Sequence, residues 1–279
     1  MKIFTCTQPH TLRDFTDANF PQGSFCFTQL LRAKDIKVNG ARVSKNVALH
    51  AGDEVVYYTT EKQESMSTHC KVYEDGNIYI ADKLSGVSSE GLCAELNTYG
   101  TFYPVHRLDR NTCGLIVYAK TKEAESLLIK VFKERGVQKT YSAICKNVFK
   151  SAGQTLTAYL IKDEKSALAK VYSRPHAGAR KIITEYKVEE KAEDIALVSV
   201  VLHTGRTHQI RAHMAHIGCP VLGDNKYGDE ELNKKYSVTR QCLLARRIAF
   251  SALSGGLAYL NGFVAESKQC LSLQNFINK

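Results

Sequence analysis

Residues 61–68 divide this chain, because the octapeptide EKQESMST has almost no apolar content and no helical or strand periodicity. A segment of this kind cannot contribute to a hydrophobic core and is typical of a connection between folded units. The sequence therefore predicts a small domain over residues 1–60, a linker over residues 61–69 and a larger domain over residues 70–279.

The small domain is predicted to contain a helix followed by a basic hairpin. Helical spacing relates Phe27, Leu30 and Leu31. In the alternating stretch 36–43, Asn39-Gly40 is a signal for a β-hairpin. Four basic side chains of this region are candidate contacts to an anionic partner: Arg32, Lys34, Lys37 and Arg42. On residue types alone, a merely solvated basic face is an equally good interpretation.

The charge balance indicates an anionic partner. Lys and Arg total 38 against 28 Asp and Glu, a net charge of +10, which favours nucleic acid first and a membrane surface second. No window approaches the ~20 apolar residues of a membrane span, and no apolar signal-peptide stretch follows Met1. Nine cysteines without C-x-x-C spacing fit a reduced, cytoplasmic protein with no metal site.

The larger domain is predicted to be rich in strands. Five segments have strand character: 72–80 as a hairpin turning at Asp75-Gly76, then 114–119, 140–146, 181–189 and 196–203. Helices are predicted from Thr121 to Gly136 and from Thr207 to Gly218. Because the strands do not alternate evenly with helices, the fold class is α+β with a mixed, mainly antiparallel sheet.

Residues 105–114, VHRLDRNTCG, carry the densest chemistry of the chain. They place one carboxylate, Asp109, beside three cationic residues, His106, Arg107 and Arg110, and such neighbours favour the ionised form. An ionised carboxylate can act as a nucleophile or a base at a sugar carbon. Taken alone, a loop aspartate that accepts backbone hydrogen bonds in a turn is the commoner interpretation.

Two further segments hold candidate site residues. His208 and Arg211 lie three residues apart near the electropositive start of the second helix, where they could hold a phosphate or a catalytic carboxylate; solvated surface residues are the alternative. Tyr141, at the start of a strand, could pack in the core or stack on a base. No H-E-x-x-H, G-x-G-x-x-G or Walker lysine loop occurs, which argues against metal and nucleotide cofactors.

Four motifs in order resemble the RluA family of pseudouridine synthases. They are the opening lysine motif at 82–86, HRLDRNTCG at 106–114, KTYSA at 139–143, and residues 204–213 followed by 218–224. Together they span roughly residues 70–250. Leu84, Cys113 and Leu244 stand where the family commonly has proline, serine and histidine, and these departures leave the RNA target open.

The resemblance implies an enzyme that isomerises uridine to pseudouridine in structured RNA without a cofactor or metal, in a cleft across the mixed sheet. By analogy with the family, Asp109 would act on the sugar, Arg211 would pair with Asp109, and Tyr141 would stack on the uracil. Arg107 would enter the space that the flipped nucleotide leaves, and Leu243 would pack against the base.

Several expectations about partners accompany the resemblance. His106, Arg206 and His208 are further candidate RNA contacts, and the N-terminal region resembles the small RNA-binding domain shared with ribosomal protein S-four. Large-subunit ribosomal RNA is the expected substrate, with transfer RNA or a non-catalytic RNA-binding protein as alternatives. An RNA methyltransferase would need a glycine-rich loop that the sequence lacks. The oligomeric state stays open, with a monomer favoured.

Overall fold

Residues 1–60 have a hydrophobic core of their own in the computed structural model, which describes residues 1–163 and 168–277. The helices of this region are α1 (Leu12–Asn19) and α2 (Pro21–Ala33). Its strands are β1 (Lys2–Thr5), β2 (His10–Thr11), β3 (Ile36–Val38), β4 (Ala41–Val43), β5 (Ala48–Leu49) and β6 (Glu54–Tyr57). The hairpin prediction is confirmed, since β3 pairs with β4 around Asn39 and Gly40, whose φ angles are 49° and 79°.

The segment predicted to be a linker is partly structured. Helix α3 (Glu61–Glu64) starts at Thr60, whose hydroxyl accepts from the Gln63 amide while the Gln63 side chain accepts from the Thr60 amide. His69 is already the first residue of strand β7 (His69–Glu74). The connection is therefore a capped helical turn leading into a strand, and the division into two domains stays a prediction.

A single large sheet forms the rest of the fold. After β7 its strands are β8 (Ile78–Lys83), β9 (Tyr103–Pro104), β10 (Cys113–Ala119), β11 (Val137–Lys146), β12 (Gly153–Asp163), β13 (Leu168–Tyr172), β14 (Arg180–Lys191), β15 (Ile195–Leu202), β16 (Leu243–Phe250) and β17 (Val264–Glu266). The order is β13-β12-β14-β15-β11-β16-β10-β8-β7, with β17 beside β16 and β9 beside β10. Within the described ranges only β10 and β16 pair in parallel, so the mainly antiparallel α+β class is confirmed.

Helices cover both faces of this sheet. They are α4 (Ser89–Leu96), α5 (Lys122–Lys133), α6 (Gln209–His216), α7 (Glu230–Lys235) and α8 (Gln274–Ile277), with a 3₁₀ helix at Gly255–Leu260. Successive strand residues point to opposite faces. On β8, Tyr79 and Ala81 therefore join the core that includes α4 and α6, while Ile78 and Ile80 join the core that includes α5.

The predicted helices are present with shifted bounds. Thr121 caps α5 as expected, through a hydrogen bond from the Ala124 amide. The second helix begins at Gln209 rather than Thr207, because His208 takes a left-handed conformation with φ of 56°. Among the described helices, none combines the length and apolar character that a membrane crossing requires.

Candidate active site

The loop between β9 and β10 carries Asp109 in a fixed position. Ser89 Oγ accepts from the Leu108 amide and donates to the Leu108 carbonyl, both at 2.9 Å. On the other side, the fully buried Lys83 donates from Nζ to the carbonyl oxygen of Arg110 at 3.0 Å. The residues before and after Asp109 are thus both anchored, and the lysine of the opening motif supplies one of the anchors.

Arg211 joins Asp109 to a second carboxylate. Its Nη1 donates to Asp109 Oδ2 at 3.0 Å, while Nε and Nη2 donate to the two oxygens of Asp224 at 2.6 and 2.9 Å. Burial lowers the pKa of Arg211, but hydrogen bonds and charge from Asp224 and Asp109 outweigh burial and raise it. Burial raises the pKa of Asp224, and Arg211 reverses this so that the pKa falls below its usual value. The bidentate pair holds the guanidinium that faces Asp109.

His208 approaches Asp109 from the start of α6. Its Nε2 lies 3.9 Å from Asp109 Oδ2, and its Nδ1 lies 2.9 Å from the Tyr227 hydroxyl. The Tyr227 oxygen accepts from the Ala169 amide at 2.6 Å, so the hydroxyl proton is available to His208 Nδ1. Burial lowers the pKa of His208, although Asp109 opposes this. A neutral ring in this arrangement presents Nε2–H towards Asp109.

Gln209 fixes the loop that leads into α6. Its Oε1 accepts from Thr204 Oγ1 at 2.8 Å and from the Arg206 amide at 3.1 Å. Its Nε2 donates to the Ile183 carbonyl on β14 at 3.1 Å. This buried amide therefore sets the position of Arg206 and His208 relative to the sheet.

A cavity of about 280 Å³ opens beside Asp109. Tyr141 and Leu243, which are 6% and 3% exposed, contribute to its walls. Burial raises the pKa of the Tyr141 hydroxyl, and the charge of Asp109 acts in the same direction. Lys139 also lines the cavity, with Nζ 5.6 Å from the centre of the Phe132 ring, and burial lowers its pKa. The space therefore combines a carboxylate, an aromatic ring, an apolar wall and an ammonium group.

The structure brings eight of the predicted site residues to this one cavity. They are His106, Arg107, Asp109, Tyr141, Arg206, His208, Arg211 and Leu243. The four basic residues predicted in the small domain do not line it. Two of those, Lys37 and Arg42, instead flank the Tyr58 ring, each 5.4 Å from its centre.

The expectation that neighbours in sequence hold the charge of Asp109 is wrong. Arg107 pairs with Glu90 at 3.1 Å, and Arg110 pairs with Asp17 at 2.7 Å. His106 accepts a hydrogen bond at Nε2 from a β10 amide, and burial lowers its pKa to about 3. The cation that contacts Asp109 is Arg211, which lies 102 positions later in the chain.

Four residues of the site were not predicted from the sequence as site residues: Lys139, Gln209, Asp224 and Tyr227. Three of them stand inside the motif strings of the resemblance, Lys139 in 139–143, Gln209 in 204–213 and Asp224 in 218–224, so the strings were the available signal. Tyr227 lies outside the strings, and its role depends on the approach of β13 to α6.

Comparisons with known proteins identify the family. The family model described as RNA pseudouridylate synthase matches residues 56–216. Ribosomal large subunit pseudouridine synthase C of Salmonella typhimurium is 32% identical over 231 residues, covering 74% of this chain and 72% of the relative. The protein of the same name from Vibrio cholerae is 30% identical over 251 residues, covering 80% and 78%.

Solved structures show the same fold. Human RNA Pseudouridylate Synthase Domain Containing 4 superposes with a TM-score of 0.61 at 21% identity. The match covers 75% of this chain and 91% of the human one.

Proposed function

The chain belongs to the RNA pseudouridylate synthase family, and from this premise we propose that it isomerises uridine in large-subunit ribosomal RNA, with Asp109 as the catalytic carboxylate. The sequence resemblance to the RluA family is thereby confirmed. One observation supports the role of Asp109 above the others: its carboxylate, held by Arg211, faces the cavity that Tyr141 and Leu243 also line.

The reaction breaks the bond between N1 of uracil and C1′ of ribose and forms a bond between C5 and C1′. The proton on C5 is lost to solvent and N1 takes up a proton, so the product is an isomer of the substrate. The reacting atoms are inaccessible inside stacked RNA, so the nucleotide must be flipped out at a cost of a few kcal/mol. Arg107 suits the space left behind, because its side chain is 69% exposed and is held by one surface ion pair with Glu90. A pair of this kind contributes little stability and can be exchanged for RNA contacts.

Inside the cavity each side chain has a distinct task. Asp109 either attacks C1′ or removes the proton from C2′, and both routes need a charged, oriented carboxylate. Arg211 supplies the charge-assisted hydrogen bond that orients it. Tyr141 stacks on the detached uracil while the base turns, and Leu243 packs against the ring and excludes water.

The choice of large-subunit ribosomal RNA rests on the names of the relatives and on charge. The relatives from Salmonella and Vibrio are named ribosomal large subunit pseudouridine synthases. A net charge of +10 and the basic residues of the small domain suit a large folded RNA. Transfer RNA is the second candidate, and the cytoplasm is the proposed location for either substrate.

Chemical mapping of pseudouridine in cellular RNA tests this proposal. Cells lacking the gene should lose modification at specific uridines of large-subunit ribosomal RNA. Wild-type protein should restore it, as should Asp194→Asn, which changes an aspartate outside the cavity, whereas Asp109→Asn should not. Loss of pseudouridine confined to transfer RNA would make transfer RNA the substrate. Unchanged pseudouridine maps of both RNAs would contradict the enzymatic function.

A further inference from the structure

The small domain contacts the loop that carries Asp109 through a single carboxylate. Asp17, on α1, accepts from Arg110 Nη1 at 2.7 Å, and its side chain is only 14% exposed. Arg110 directly follows Asp109. The carboxylate that pairs with this arginine therefore lies 93 positions earlier in the chain.

Close packing on both sides of Asp17 sets its position. Its carbonyl oxygen accepts from the hydroxyl of Ser88, the residue that caps α4. A Cβ on Gly91 would lie 2.3 Å from that same oxygen, so α1 and α4 approach as closely as a glycine permits. Phe25 of α2 packs against the core of the larger domain and lies 3.3 Å from where a Cβ on Gly86 would stand. The small domain is seated against the larger one here.

Arg110 is held at both its ends. Its carbonyl oxygen accepts from Lys83 Nζ and from the Gly86 amide, each at 3.0 Å. Its guanidinium forms an ion pair with the Asp17 carboxylate, and the same carboxylate pairs with Arg13 Nε at 3.0 Å. Without Asp17 the guanidinium would lose this partner, and Arg110 would be held in the turn through its backbone alone.

We propose that Asp17 is a positioning residue, which acts through Arg110 to hold the loop of Asp109 in its reactive geometry. The small domain then contributes to the rate of isomerisation as well as to RNA binding. This inference rests on the proposed role of Asp109. A displacement of about 1 Å in a reacting group can lower a rate by about 10²-fold. Loss of the contact between Asp17 and Arg110 should therefore lower kcat.

The test compares Asp17→Asn with Asp14→Asn in the full-length protein. Both variants remove one negative charge from α1 beside the same groove, but only Asp17 contacts Arg110. With saturating ribosomal RNA transcript, we expect Asp17→Asn to lower kcat at least tenfold with KM within threefold of wild type. Asp14→Asn should leave both constants within twofold. A kcat within twofold of wild type for Asp17→Asn would overturn the proposal.

A second variant covers the case in which Asp17→Asn folds poorly. Arg110→Gln alters a partly exposed side chain and should lower kcat to the same degree. In the double variant the losses should not multiply, because both substitutions remove one interaction. Multiplied losses, or a wild-type rate for Arg110→Gln, would overturn the proposal.

Asp109→Asn is measured in the same assay to separate the two claims. If it retains turnover, the proposed function fails. If it has no turnover while Asp17→Asn and Arg110→Gln keep the wild-type rate, only the positioning role fails.

Discussion

At the scale of single residues, the site depends on one arginine shared between two carboxylates. Arg211 is 5% exposed at its side chain, and Asp224 is fully buried. A buried guanidinium must be matched by acceptors, and Asp224 meets this need with two hydrogen bonds. The remaining nitrogen is thereby directed to Asp109.

Changing Arg211 or its second carboxylate partner, Asp224, should lower the rate to different degrees. Arg211→Ala deletes the group that touches Asp109, and we expect a loss of about 10³-fold in kcat, consistent with loss of a preorganised charge. Asp224→Asn keeps the shape but weakens the hold on Arg211, so a loss of about 10-fold to 10²-fold is expected. Single-turnover rates measure both. A rate within threefold of wild type for Arg211→Ala would contradict its assignment.

The buried His213 predicts a specific loss of stability in acid. Burial lowers its pKa to about 4, and Nδ1 bonds Thr184 Oγ1 at 2.9 Å. The folded state therefore resists a proton that the unfolded chain accepts below about pH 6.5. The free energy of unfolding should fall as pH decreases from about 6.5 towards 4, by up to about 1.4 kcal/mol per pH unit from this group. Urea titrations at several pH values should show that the free energy of unfolding of His213→Gln falls less steeply than that of wild type between pH 6.5 and 5. An equal pH dependence of the two proteins would contradict this role of His213.

Sequence reasoning succeeded at the site where the motif strings were long. Asp109, Tyr141 and Arg211 each stand inside such a string, and the structure places them around one cavity. Asp224 ends the string 218–224 but received no role, because the need for a second carboxylate arises only once Arg211 is buried. The argument from local charge assigned the wrong cations to Asp109, because its neighbours in sequence have other partners in the fold. The family resemblance assigned the right one, since it implied the pair with Arg211 that the structure shows.

At the scale of elements, the parallel contact between β10 and β16 brings two backbones unusually close just after the Asp109 loop. Gly114 follows the Asp109 loop and has φ of 105°. A Cβ at this position would lie 2.3 Å from the Ala245 carbonyl oxygen. Only glycine allows both the conformation and the approach.

Gly114→Ala should therefore destabilise the protein by about 2–4 kcal/mol, since the strain cannot be relieved by a flexible neighbour. Gly76→Ala is a matched control, because no atom lies within 4 Å of a Cβ there. Its free energy of unfolding in urea should stay within about 0.5 kcal/mol of wild type. Equal stability of the two variants would contradict the steric account.

Elements with strong local signals were predicted and the others were not. The Asp75-Gly76 turn, the β-branched run of β10 and the cap at Thr121 each specify their element over a few residues. Strand β12 alternates over only three apolar residues, Leu156, Ala158 and Leu160, and α4 contains Gly91 in its first turn. These two form because the sheet and α1 supply their packing partners.

At the scale of the whole molecule, we expect two surfaces of the small domain to have different tasks. One meets the larger domain at Asp17. The other carries the basic residues, where Lys37 and Arg42 flank the Tyr58 ring. No sequence pattern indicated the first surface, because Asp17, Ser88 and Gly91 come together only through tertiary packing.

The basic surface should govern RNA affinity. Four substitutions to glutamine remove its charge: Arg32, Lys34, Lys37 and Arg42. The variant should bind ribosomal RNA more weakly, and its plot of log K against log salt should flatten by about 0.7–0.9 for each RNA phosphate that the removed cations had neutralised. The rate at saturating RNA should stay within twofold of wild type.

A control with equal charge loss uses four exposed lysines of the larger domain: Lys130, Lys133, Lys187 and Lys191. If this control flattens the salt dependence as much as the small-domain variant, the binding is non-specific. That outcome would contradict a dedicated RNA surface on the small domain.

The catalytic role of Asp109 is tested most directly by single-turnover release of tritium from RNA labelled at C5 of uridine, with Asp109→Asn compared with wild type. We expect stoichiometric release by wild type, no release by the variant above background, and RNA affinity of the variant within about threefold of wild type. Retained release by Asp109→Asn would contradict the assignment of this carboxylate.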